Sequence, residues 1–230
     1  MATRVPGGGV TQNPFGSQWV GGNREAQSVG EQIQGSLFGR PKPQVIDSDD
    51  AVVNRLMAQM HGFRKKLARL AGDQPSDYDL ALARSTIAMI DEEGLIYVGK
   101  QFLLEHEEAV DVRVGVIAHE IGHRPQRWKE YRQTPPTTRA EAEDLCRLEE
   151  TRADYFAGFA LAQLGRDCEP LCEFLLRIED QPHPEYFPAE LRAKTIREGF
   201  EVGHRKAENL NKFFPELARM TAAKGDLGTG

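Results

Sequence analysis

The sequence predicts an α+β fold, mostly helical, with a small antiparallel sheet and one buried helix that carries the functional side chains. Three observations lead there. Val53, Leu56, Met57, Met60, Phe63, Leu67 and Leu70 recur at helical spacing. Two short strand-like runs, Ser85–Ile90 and Leu95–Val98, flank Asp91-Glu92-Glu93-Gly94, which has the composition of a hairpin turn. The apolar stretch Val112–Ala118 leads straight into His119-Glu120-Ile121-Gly122-His123.

Taken in order, residues 1–46 are rich in Gly, Gln, Asn, Ser and Pro and show no sustained period, so they read as a disordered tail. Phe15, Trp19, Val20 and Phe38 are isolated within it. A folded domain is expected over 47–220, followed by a flexible tail at 221–230. Asp47-Ser48-Asp49-Asp50 offers N-caps for the first helix, and Gly72 supplies its stop. His61 falls off the apolar stripe and is expected in solvent. After the hairpin, Gln101–Leu104 reads as a short helix. The next helix runs from about Asp111 to Arg124, because Pro125 disfavours helical backbone at the residue before it. Gln126–Pro136 reads as a polar loop. Thr138-Arg139-Ala140-Glu141 is a capping box that opens a long helix to about Leu164, closed by Gly165.

The totals limit the function classes. A chain of 230 residues is long enough for one domain with a sizeable core. It is 40% hydrophobic and 28% charged, with a net charge of −6, so no general basic surface for nucleic acid or anionic lipid is expected. No apolar run approaches a bilayer span. Met1–Gly9 lacks the apolar core of a signal peptide. Three cysteines, Cys146, Cys168 and Cys172, are too few for a disulfide framework and fit a reducing, cytoplasmic setting. Cys168 and Cys172 have i, i+4 spacing that suits a metal, but they read first as small buried thiols.

The chemistry centres on His119 and His123. Histidines four apart on a helix project from one face, where a single tetrahedral cation can take both. Glu120 sits beside them, suited to hold and deprotonate a water rather than to bind the metal itself. This is the H-E-x-x-H arrangement of metal-dependent hydrolases. The apolar run before it argues for a buried helix instead of a surface one.

Such a site needs a third protein ligand and an open position for water. A histidine in the extended motif is excluded, since the required Gly and His positions hold Gln126 and Lys129. A cysteine upstream is excluded because every cysteine lies downstream. A carboxylate from a second helix remains. Glu150 and Asp154 are i and i+4, so one can ligate while the other accepts a hydrogen bond from a ligand imidazole. Glu149 is the rival ligand but has no acid one turn further on. Tyr155, Phe156, Phe159, Ala160 and Leu161 mark this helix as buried, and carboxylates there require partners.

His119-Glu120-Ile121-Gly122-His123 followed by Glu150-x-x-Ala153-Asp154 resembles the gluzincin metallopeptidases, in particular the branch that includes the CAAX prenyl endoprotease and bacterial heat-shock membrane proteases. Gly94–Val98 and Phe102–Leu104 resemble that family's edge strand and short helix, and His183-Pro184 with Arg192 is similar to a downstream His-Pro and Arg pair. The similarity spans about 50–200. It implies a zincin-like domain binding one Zn2+ through His119, His123 and Glu150, with Asp154 holding His119. It further implies an edge strand at Leu95, Ile96, Tyr97 and Val98 that pairs with extended peptide, and an oxyanion donor at His183 or Tyr186. Arg113, Pro125, the longer spacing from His183 to Arg192 and the lack of a spanning segment depart from the pattern. The expected activity is zinc-dependent endopeptidase cleavage of a peptide or protein substrate, with Glu120 as general base. The alternative is a catalytically silent zinc-binding interaction or regulatory module.

Overall fold

The computed structural model describes residues 42–178 and 186–213. Of the expected tails, 1–41 and 221–230 lie outside the described residues. Residues 44–46, by contrast, are already ordered. Val45 bridges Ala83, the Ile46 amide donates to the Leu82 carbonyl, and the Arg84 amide donates to that of Gln44.

Helix α1 spans Ala51–Ala71, and its ends follow the local chemistry. The Asp50 carboxylate accepts from the Val52 and Val53 amides, and Gly72 ends the helix at φ 81°. Val53, Leu56, Met60 and Leu67 are buried along its inner face. His61 lies beside that stripe with its side chain 40% exposed.

The sheet differs from the expected antiparallel hairpin. It has three strands, β1 (Asp79–Ala83), β2 (Ala88–Ile90) and β3 (Leu95–Gly99), in the order β1-β3-β2. β2 and β3 form the hairpin, with Gly94 at φ 89° in the turn and the Asp91 carboxylate accepting from the Glu93 and Leu95 amides. β1 pairs with β3 in parallel, making the sheet mixed. Leu95–Val98 is therefore the central strand and not an edge. Both of its sides are already used, so it cannot take an incoming peptide. Among the described residues the open edge belongs to β2, because residues 44–46 lie along β1.

Helix α2 (Lys100–Glu105) follows β3, and α3 (Val110–Gly122) carries the histidine motif. Every residue of α3 from Val112 to Gly122 is buried. The helix sits between α1, strand β2 and the helices that follow. Arg113 is 2% exposed within this apolar setting. It donates to Gln59 Oε1 at 2.9 Å and to the Glu107 carbonyl at 3.0 Å, while burial lowers its pKa and its Nε has no hydrogen-bond partner among the described residues.

Pro125 does end α3, but it also starts another helix. α4 (Pro125–Gln133) occupies most of the expected loop, with Pro125 in the first turn, where its missing amide costs nothing. The long helix α5 (Arg139–Gln163) begins at Thr138 with the capping box formed in both directions. Gly165 turns the chain after it at φ 65°. Two further helices, α6 (Glu169–Ile178) and α7 (Ala189–Phe213), complete the described fold. None of the described helices is long and apolar enough to cross a membrane.

Close backbone approach sets the positions of α3, α5 and α7. A Cβ at Gly122 would meet Ala153 Cα at 2.7 Å, so only glycine lets α5 come this near to α3. Gly158 faces the backbone of Ile196 and Phe200 on α7 in the same way. Gly122→Val is expected to force α3 and α5 apart and to cost about 1–3 kcal/mol, read as a lower midpoint in urea unfolding.

Candidate metal centre

Helices α3 and α5 meet where the sequence places the ligands. His119 Nε2 lies 3.2 Å from His123 Nε2 and 3.3 Å from Glu150 Oε2, and His123 Nε2 lies 3.7 Å from Glu150 Oε1. A tetrahedral ion with bonds of about 2.0–2.1 Å has ligand-to-ligand edges of about 3.4 Å. The three donors thus already stand close to the spacing of one coordination sphere. All three side chains are buried. Glu150 Oε2 is buried without a hydrogen-bond donor, as suits an atom facing a cation. The donor set fits a divalent ion bound by His119, His123 and Glu150.

The surroundings orient these ligands. Asp154 Oδ1 lies 2.9 Å from His119 Nδ1. That bond puts the proton on Nδ1 and leaves the Nε2 lone pair facing His123 and Glu150. Arg192, on α7 and 3% exposed, donates through Nε to Asp154 Oδ2 at 2.8 Å and through Nη2 to Oδ1 at 3.0 Å. The same Nη2 is 3.5 Å from Glu150 Oε2. The Arg192 guanidinium also lies 5.1 Å from the centre of the Tyr186 ring.

The electrostatics of the site favour positive charge. Burial opposes a charged His119, but Asp154 and Glu150 outweigh it and push His119 up to about 10. Burial pulls His123 down to about 4, only partly offset by Glu150. Burial also disfavours a charged Glu150, yet His123, His119 and Arg192 bring it down to about 2. Asp154 is lowered as well: burial acts against its ionised form, and Arg192 and His119 overcome it. His119 therefore carries a proton that a bound metal would displace.

Glu120 lies on the sheet side of the motif. Its Oε2 accepts from the Ile90 amide at 2.9 Å, tying the carboxylate to β2. Pairing of Asp91 with Leu95 and of Gly99 with Ile87 directs residues 87, 89 and 91 toward β3. The backbone groups of Ala88 and Ile90 consequently face the open edge, with Glu120 at its end.

Other expectations resolve differently. Glu149 is fully buried but points to α4, where it accepts from Arg127 Nε at 2.8 Å and Tyr131 Oη at 2.6 Å and pairs with Arg152. It is committed elsewhere and is no ligand of this centre. His183 lies outside the described residues. The role of Arg192 exceeds the downstream pair that the sequence suggests. Its signal was available, since Arg192 falls on the stripe of Ala189, Ala193 and Ile196, which is buried. A clamp at the end of α3 was not legible. Arg124, at φ 47°, makes a paired contact with Asp73, which also accepts from the Tyr78 hydroxyl at 2.7 Å.

Compared with models of known protein families, with curated proteins and with solved structures, the chain matches none.

Two outcomes follow from the geometry. Asp154→Asn is expected to weaken zinc binding about 10- to 100-fold, measured by competition with a chromophoric chelator. Metal uptake at neutral pH should expel about one proton from the site, because His119 is charged until the ion arrives. Titration calorimetry in buffers of unequal ionisation enthalpy reads that release, and affinity should fall as the pH is lowered.

Proposed function

We propose that the protein is a zinc-dependent metalloendopeptidase of zincin-like architecture that cleaves extended peptide segments. The observation that carries this reading is the meeting of His119, His123 and Glu150 at the spacing of one ion, with Glu120 beside them. A purely structural zinc site is closed by four protein ligands. Here the described residues supply three, and the adjacent residue is an acid fit for proton transfer.

The ion, when bound, supplies Lewis acidity that makes water nucleophilic near neutral pH and polarises a carbonyl. The chain's own residues do the rest. Glu120 accepts the proton of the attacking water as the new C–O bond forms. It then delivers that proton to the amide nitrogen as the C–N bond breaks. The Ile90 amide fixes one oxygen of Glu120 and so limits the directions in which its carboxylate can turn. Asp154, held by Arg192, keeps His119 in the ligating tautomer. The open edge of β2, not β3, is the place for main-chain pairing with a substrate strand. With the Ile90 amide held by Glu120, the Ala88 backbone and the Ile90 carbonyl would align the peptide so that its scissile carbonyl comes to the Glu120 end.

The test compares wild type with Glu120→Gln on an unstructured protein such as casein. The variant should keep zinc at the histidine site and lose cleavage by at least about 100-fold. Cleavage that persists in the variant and under added chelator would overturn the peptidase reading. Zinc binding with no turnover in wild type, on casein and on a library of unstructured peptides, would favour the silent binding module.

A further inference from the structure

Outside the histidine site, the described residues hold one other group of donor atoms that could bind a cation: Cys168, Glu169 and Cys172, at the start of α6. One sulfur from each cysteine and one carboxylate oxygen lie within 4.8 Å of one another. The two thiols are buried, at 3% and 0% exposure, while Glu169 is exposed at the rim. Both Glu169 oxygens accept from Arg197 on α7, from Nε and Nη2, each at 2.7 Å. Cys172 Sγ faces the Ala193 carbonyl at 3.6 Å, also on α7.

We propose that Cys168, Cys172 and Glu169 form a second cation site, selective for a thiophilic d10 ion such as Zn2+ or Cd2+, with solvent at the open position. The donor chemistry is that of a borderline-soft metal: two sulfurs and a carboxylate oxygen. In a tetrahedral zinc site the sulfurs stand about 3.8 Å apart, and the three donors here all lie within 4.8 Å of one another. Two thiolates and a carboxylate around a divalent ion leave a surplus negative charge, and the Arg197 guanidinium is placed to neutralise it. Arg197 also serves as the outer partner that fixes a ligating carboxylate. Simple packing accounts for two buried sulfurs. It does not account for a carboxylate and a guanidinium gathered against them.

Binding here would brace the first turn of α6 against α7. Leu171 and Phe174 of α6 line an apolar cavity beside His119, so the bound ion would also steady one wall of the region behind the histidines.

The full chain, reduced and stripped of metal, is titrated with Cd2+ and followed by thiolate-to-metal charge transfer in the ultraviolet. Wild type should bind two equivalents and develop the band. His119→Ala with His123→Ala should keep the band and bind one equivalent, whereas Cys168→Ser should lose the band and keep the histidine site. A wild-type protein that shows no band at excess Cd2+, or a band unchanged by Cys168→Ser, would overturn the proposal. Should Cys168→Ser fail to fold by circular dichroism, the exposed Glu169→Ala variant decides: at least tenfold weaker Cd2+ binding at the thiol band supports the three-donor site, and unchanged affinity refutes it.

Discussion

Glu150 and Asp154 stand one helical turn apart on a helix whose other buried residues are mostly alanine, glycine and leucine, and both are buried. Withdrawing such charges from water costs several kcal/mol per ion unless cations replace the lost hydration. Two groups from two other helices do so: His119 on α3 and Arg192 on α7. The relative placement of α3, α5 and α7 is inseparable from this balance. If one helix moves away, a carboxylate is left buried without compensation. The small residues between these helices allow the approach, and the charges require it.

The same balance gives the centre its chemical character. Arg192 saturates Asp154 with two hydrogen bonds, which commits Asp154 to orienting His119 instead of ligating. Glu150 has one weaker contact with Arg192 and remains directed at the histidines. Two acids of similar burial are thereby given different tasks by a single guanidinium. The sheet contributes from the opposite side. β2 is short and sits at an edge, and its Ile90 amide holds Glu120, so this carboxylate is tied to the open strand edge.

Much of this was legible in the sequence, and the failures have identifiable causes. The caps at Asp50 and Thr138 depend on local hydrogen bonds and stood where residue type and spacing indicated. The meeting of Glu150 with His119 and His123 followed from the chemistry a metal site needs. β1 escaped notice because Asp79-Leu-Ala-Leu-Ala is short and contains no β-branched residue, and its pairing partner lies beyond β2. With β1 overlooked, β3 looked like an edge. α4 was hidden because Pro125 signals the end of one helix and the first turn of the next with equal force. Glu149 and Glu150 are neighbours with the same side chain. The acid one turn on, Asp154, favoured Glu150, but the partners of Glu149, Arg127 and Tyr131 of α4, are tertiary, and no local pattern contains them.

Arg124 adopts a left-handed backbone, a conformation that side chains with a Cβ disfavour by about 1–2 kcal/mol. It occupies the position directly after His123, and its guanidinium binds Asp73 in the loop after α1. Two demands therefore coincide at one residue. Glycine would satisfy the backbone but lose the ionic anchor, while lysine would retain a charge but lose the planar, two-pronged fit. Few of the other amino acids meet both needs. The repertoire accepted here should be narrower than at many fully enclosed positions, although Arg124 is not one of the three donors of the candidate centre.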